Sequence, residues 1–244
     1  METEVAEGVH RLTQGVTNFY LIEEGGKFTV VDAGTPGDWD LFRRSVAALG
    51  QLLDLEAVLL THAHSDHTGF AERARADAGA RVWIHEADAE AARTGRPGKN
   101  DGSALSYLLK AQFYRTTFSL ARRGAMKIIP IKEVASFADG ETIDVPGHPR
   151  AGHAPGHTAG SAVLLLEDRG ILFTGDVLCT ENPLTGRTGP QIMPSGLNAD
   201  TPQALRSLDL LRGMSAGLLL PGHGDPWTGG VPSAITAAQA AGRS

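Results

Sequence analysis

Three imidazoles and a carboxylate fall within six consecutive positions, as His62, His64, Asp66 and His67 in the stretch Thr61-His62-Ala63-His64-Ser65-Asp66-His67-Thr68-Gly69. Neutral imidazole nitrogen and carboxylate oxygen are the donors that zinc and other borderline divalent ions take. A structural zinc site closes four ligands around one ion, commonly with thiolates, and the chain offers only Cys179. The cluster therefore reads as a catalytic metal site that keeps a position for water. The apolar run from Ala57 to Leu60 precedes it and a helix-like segment from about Gly69 to Ala78 follows, which puts the four side chains on a strand-to-helix loop. A lone histidine is more often a hydrogen-bonded core or surface residue, and His10, His85 and His148 are read that way.

With those four residues standing as a His-x-His-x-Asp-His signature, the chain resembles the metallo-beta-lactamase superfamily. Further motifs of that family follow in order over nearly the whole chain: Pro155-Gly156-His157-Thr158 with Gly160-Ser161, Phe173-Thr174-Gly175-Asp176 and Pro221-Gly222-His223-Gly224, with Val30-Val31-Asp32-Ala33-Gly34 ahead of them. The resemblance implies an α/β fold, an αββα sandwich of two mixed β-sheets flanked by helices, with metals at one edge. It implies one ion held by His62, His64 and His157 and a second by Asp66, His67 and His223, with Asp176 bridging. Asp32 would secure the metal loop by hydrogen bonds. The expected cofactors are two Zn(2+) per chain, with iron or manganese as alternatives.

The activity this implies is that of a dinuclear metal-dependent hydrolase. A metal-bridging hydroxide would attack the carbonyl of an ester, lactone or thioester, with Asp66 as the catalytic proton carrier to the leaving group. Acyl-homoserine lactonases share the complete ligand set. Glyoxalase II-like thioesterases usually add a glutathione-binding helical region, for which the stretch after His223 is short. Three other readings stand beside this one: a mononuclear-iron persulfide dioxygenase, a beta-lactam hydrolase, and a non-enzymatic binding protein on the same scaffold. Metal analysis separates the first, because imidazole and carboxylate serve iron as well as zinc.

The elements that must position these side chains alternate between strand and helix, as in a layered α/β protein. Strands are expected at 18–23 and 27–31 around a Gly25-Gly26 hairpin, at 55–60, 80–84, 162–167, 170–174 and 218–220. Helices are expected at 38–49, stopped by Gly50, at 86–93, and at 201–212 with Thr201 as the cap and Pro202 in the first position. The stretches 146–155 and 180–198 read as loops. A chain of 244 residues with 41% apolar content supports a sizeable core, and a single domain over 1–244 is expected.

The formal charge of -6, from 22 basic and 28 acidic residues, gives no general reason to bind nucleic acid or an anionic membrane. The acidic N-terminus is unlike a signal peptide and one cysteine permits no intrachain disulfide, so a cytoplasmic protein is expected. Its partner would be a small-molecule carbonyl substrate, and the chain a monomer or homodimer.

The segment 94–127 departs from the alternation and is expected to be a helical insert over or beside the site. After the loop Thr94-Gly95-Arg96-Pro97-Gly98, a helix is expected from Ser103 to about Arg123. Leu105, Leu109, Phe113 and Leu120 fall on one side of its wheel, and Tyr107, Ala111, Tyr114 and Phe118 near the other. From Arg93 to Lys127 the one acidic residue is Asp101, against Arg93, Arg96, Lys99, Lys110, Arg115, Arg122, Arg123 and Lys127. That inversion suits either a solvated basic rim or a lid that attracts an anionic substrate. Tyr107, Tyr114, Phe118, Arg115 and His153 are the residues expected at the substrate pocket.

Overall fold

Two antiparallel strands that sequence reasoning missed open the chain, β1 at Glu2–Ala6 and β2 at Val9–Thr13. The computed structural model describes residues 2–49, 54–96 and 98–243, apart from the side chains at 2, 104 and 105. Gly50 as a helix stop, Pro97 in the loop and the apolar role of Leu105 lie outside what is described. β3 (Asn18–Glu24) and β4 (Lys27–Val31) form the expected hairpin, with Gly25 and Gly26 at φ +60° and +79° where a side chain would be strained. β5 (Leu55–Leu60), β6 (Arg81–His85) and β7 (Ala135–Phe137) then add in parallel, so the seven strands lie side by side in chain order.

The second sheet holds β8 (Arg150–His153), β9 (Ala162–Leu166), β10 (Ile171–Gly175) and, beyond the small hairpin β11 (Cys179–Glu181) and β12 (Thr188–Gln191), β13 (Leu218–Pro221). Its order is β13-β10-β9-β8, with β13 parallel to β10. The two central strands are buried on both faces, and their sequences Ala-Val-Leu-Leu-Leu and Ile-Leu-Phe-Thr-Gly are near-continuous apolar runs for that reason.

Strand alternation sorts the apolar side chains into layers. Ile22, Val31, Leu59, Leu164, Phe173 and Leu220 meet between the sheets. Leu21, Val30, Val58 and Leu60 face the other way, against α1 (Trp39–Ala48), α2 (Ala71–Ala78) and α3 (Ala89–Thr94). Val163, Leu165, Leu172 and Leu219 turn outward from the second sheet onto α5 (Thr201–Ser207) and α6 (Gly230–Ala241), which follow α4 (Ala111–Arg122) in the chain. This is the αββα arrangement.

Four expectations are corrected. The helix of 103–123 is broken: a 3-10 turn covers Ala104–Tyr107, and Lys110 is extended at φ -98°, ψ 123° before α4 begins. The loop of 146–155 contains β8, which short length and Pro and Gly neighbours concealed, and the loop of 180–198 contains β11 and β12. Thr201 is not the cap of α5; Asp200 accepts from Gln203 N with its side chain, while Thr201 is buried.

Candidate metal centre

Four strand ends meet at one edge of the sandwich. β5 ends at Leu60 and releases the loop with His62, His64, Asp66 and His67; β10 ends at Gly175 and delivers Asp176; β13 ends at Pro221 and delivers His223; His157 lies between β8 and β9. Backbone bonds hold the loops together. Ala33 N donates to His67 O at 2.6 Å, Ala162 N to Thr61 O at 2.9 Å, and Gly222 N to Gly175 O at 2.8 Å. Glycine is required at 222, since a Cβ there would collide with Asp176 Oδ1 and the His67 ring.

Three groups of side chains lie close enough to hold a metal ion: His62, His64 and His157; His62, His67 and Asp176; and Asp66, His67 and His223, the ligand atoms of each within 4.8 Å of one another. Asp176 sits between them. Its Oδ2 is 3.3 Å from Nε2 of both His157 and His223 and 3.8 Å from His62 Nε2, and its Oδ1 is 3.5 Å from His67 Nε2. Asp176 Oδ1 and His67 Nε2 are buried and make no hydrogen bond. A cation between them would satisfy both atoms, and the nitrogen and oxygen donor set suits a borderline divalent ion, so the residues fit a metal.

The rings are held from behind. His67 Nδ1 donates to Asp32 Oδ2 at 2.8 Å, His62 Nδ1 meets Thr61 Oγ1 at 3.0 Å, His157 Nδ1 meets Asn198 Oδ1 at 3.1 Å, and His223 Nδ1 donates to Val16 O at 2.7 Å. Each contact leaves Nε2 facing the centre. Asp32 also accepts from Thr61 N and Oγ1, and Thr17 Oγ1 donates to Asp66 Oδ2 at 2.9 Å. Asp88 accepts from Ala63 N, Thr158 Oγ1 and Gly160 N, which ties the His62 loop to the His157 loop. Of these supports the sequence pointed to Asp32. Thr17, Asp88 and Asn198 carry no local signal, because their partners lie 49, 25 and 41 positions away.

The electrostatics divide the histidines. Burial and neighbouring rings push His62 well below the ordinary histidine value and His157 down to about 3, and burial likewise lowers His64. Burial also acts against a charged His67, but Asp176, Asp32 and Asp66 outweigh it and raise that ring to about 10. His223 is raised against burial by Asp176. Asp176 is held well below the carboxylate range, against its own burial, by His223 and His67. His62, His64 and His157 are thus neutral donors at neutral pH, and Asp176 keeps its charge for a cation.

A cavity of about 430 Å³ opens beside the cluster, with His64, Asp66, His157, Asp176 and His223 in its wall. The insert supplies a wall, but with other residues than expected. Phe113, Thr116, Thr117 and Leu120 face in, while Tyr114 and Phe118 are 58% and 65% exposed. Thr116 Oγ1 donates to Pro183 O and Gly37 N donates to Arg123 O, and these anchors fix the rotation of α4. Arg115 is exposed, Tyr107 is buried with its hydroxyl 3.5 Å from Ser195 Oγ, and His153 stacks on His85 with ring centroids 3.9 Å apart and binds Ala159 O. None of these five lines the cavity.

Comparison with known proteins agrees with this architecture. The profile of the metallo-beta-lactamase superfamily matches residues 12–223, and the chain belongs to that superfamily. It is 29% identical over 241 residues to the probable metallo-hydrolase YflN of Bacillus subtilis, covering 93% of this chain and 87% of that one. It is 28% identical over 176 residues to the human acyl-coenzyme A thioesterase MBLAC2, covering 66% and 58% respectively. Among solved structures, the metallo-beta-lactamase family protein TTHA1429 of Thermus thermophilus superposes with a TM-score of 0.69 at 26% identity, over 98% of this chain and 79% of that one. The protein is an enzyme of the metallo-hydrolase class. No helix among the described residues is long and apolar enough to cross a membrane.

Proposed function

We propose that the protein is a dinuclear metal-dependent hydrolase of esters, lactones or thioesters, with a thioester favoured. The observation that carries this reading is the convergence of His62, His64 and His157 with Asp66, His67 and His223 around Asp176, beside a cavity with a largely apolar wall. Two zinc ions are the expected occupants, one on each trio with Asp176 shared. Held there by these residues, such ions would supply a water ionised near neutral pH and a Lewis acid for a carbonyl oxygen.

The chain's own residues do the rest. Asp66 lines the cavity with Oδ2 fixed by Thr17, which holds the carboxylate ready to take a proton and pass it to the leaving group. The back contacts from Asp32, Thr61, Asn198 and Val16 hold the rings in one orientation without reorganisation. Phe113, Leu120 and Ile128 exclude water from the substrate side. The thioesterase relative adds weight to a thioester.

Metal quantification on purified protein, followed by a panel of lactones, thioesters and a chromogenic beta-lactam, tests the proposal. Two zinc ions per chain with thioester or ester turnover is the expected result. One iron per chain with oxygen consumption would replace it with the dioxygenase reading, and turnover by a metal-free His62→Ala/Asp66→Ala variant would refute the mechanism.

A further inference from the structure

We infer that the site receives its substrate in two parts, an apolar acyl group in the cavity under α4 and an anionic leaving group in a second cavity beside Arg96 and Lys99. The inference rests on the hydrolase reading and adds the orientation of the substrate and the residues that set it.

The second cavity measures about 400 Å³ and shares His64, Gly98, Asn100 and His157 with the first. The rings of His64 and His157 stand 4.5 Å apart at 89°. The two cavities therefore adjoin at these two rings, and a carbonyl held beside them would border both. Their chemistry differs. Phe113, Leu120, Met126, Ile128, Leu184 and Met193 dominate the first, and apart from the histidines of the cluster Lys127 is the one cationic side chain in its wall. An ionised group placed among them would lose its hydration without a matching set of partners.

The second cavity is walled by Arg96, Lys99, Asn100 and Thr158 together with five alanines, so small side chains leave room for a bulky polar group. Two carboxylates also line it. Asp88 already accepts from Ala63 N, Thr158 Oγ1 and Gly160 N, and Glu90 is exposed. Arg96 and Lys99 outweigh Glu90, and they belong to the segment 93–127 in which eight basic residues face one acidic one. A phosphate-bearing thiol is the leaving group this chemistry recognises, since a guanidinium and an ammonium bind phosphate oxygens by charge-assisted hydrogen bonds.

The test compares three thioesters on the zinc-loaded native protein and on Arg96→Glu/Lys99→Glu. Octanoyl-coenzyme A has an apolar acyl group and an anionic leaving group, octanoyl-N-acetylcysteamine has a neutral leaving group, and glutaryl-N-acetylcysteamine carries its charge on the acyl side. The expected result is that the native protein prefers octanoyl-coenzyme A. The double variant should then lower the ratio of its kcat/KM to that of the neutral octanoyl thioester by about tenfold or more, chiefly through KM.

Calorimetric binding of free coenzyme A should weaken in the same variant. Leu120→Trp, which fills the first cavity, should move the preferred acyl chain from octanoyl to butyryl. An unchanged ratio with unchanged coenzyme A binding overturns the inference, as does a preference for the glutaryl over the octanoyl thioester. If the native protein hydrolyses none of the three, the preference for a thioester fails and takes this inference with it, while turnover of a lactone or ester in the wider panel would keep the hydrolase reading. Turnover of both octanoyl thioesters without discrimination leaves the hydrolase reading standing and removes only the two-part site.

Discussion

His67 donates from Nδ1 to Asp32 Oδ2 across 2.8 Å, and Asp32 holds that carboxylate in place from a left-handed backbone with φ +61°. A non-glycine residue in that region carries a conformational cost, of which Asp and Asn bear least. Strain and hydrogen bond together mark Asp32 as the residue that aims His67. Asp32→Asn keeps the size and the backbone preference but removes the charge that His67 faces. Zinc affinity measured against a competing chelator is expected to fall about 10–100-fold. Unchanged affinity would mean that the ring is aimed by the loop alone.

Metal uptake should release protons. The metal-free protein keeps His67 charged up to about pH 10, so an ion binding its Nε2 at pH 7.5 must displace that proton. Affinity should therefore weaken as pH falls, with a calorimetric heat that depends on the ionisation enthalpy of the buffer. His62 and His157, neutral at this pH, contribute no such release.

The same ring contributes to stability. Its value is raised above the ordinary 6.5 in the folded, metal-free protein, so its contribution is complete below about pH 6.5 and is lost as pH rises towards 10. Thermal midpoints of chelator-treated protein should fall across that window. Zinc-loaded protein, with an ion in place of the proton, should show a flatter profile there.

Asp88 joins two loops through three hydrogen bonds from buried or half-buried donors. Asp88→Ala strands those donors and is expected to destabilise the fold by about 3–5 kcal/mol in urea unfolding. It should also loosen His62 relative to His157, with a loss of zinc affinity beyond that of a surface control such as Glu86→Ala.

Gly222→Ala drives a methyl group against Asp176 and His67. Gly222 lies just past the end of β13 and outside any helix, so far-ultraviolet circular dichroism should be retained while zinc content by mass spectrometry falls below half of the native value. Full metal content would show that the β13 loop yields.

What the sequence determined by itself is the part of the site encoded locally. His62, His64, Asp66 and His67 share one loop because a buried apolar strand ends just before them and a helix begins just after, and both signals lie within a few residues. The strand alternation likewise fixes that Val58 and Leu59 face opposite sides of the sheet, and the packing decides that Val58 meets the helices and Leu59 the second sheet. The tertiary structure decided what depends on distant partners. Phe113 and Leu120 turn to the cavity and Tyr114 and Phe118 away from it, although both pairs are apolar at helical spacing, because Thr116 is bound to Pro183 and Gly37 to Arg123. Thr17, Asp88 and Asn198 became supports of the centre by the same kind of contact. Periodicity says that a face is apolar; only the packing of segments far apart in the chain chooses which apolar face is covered.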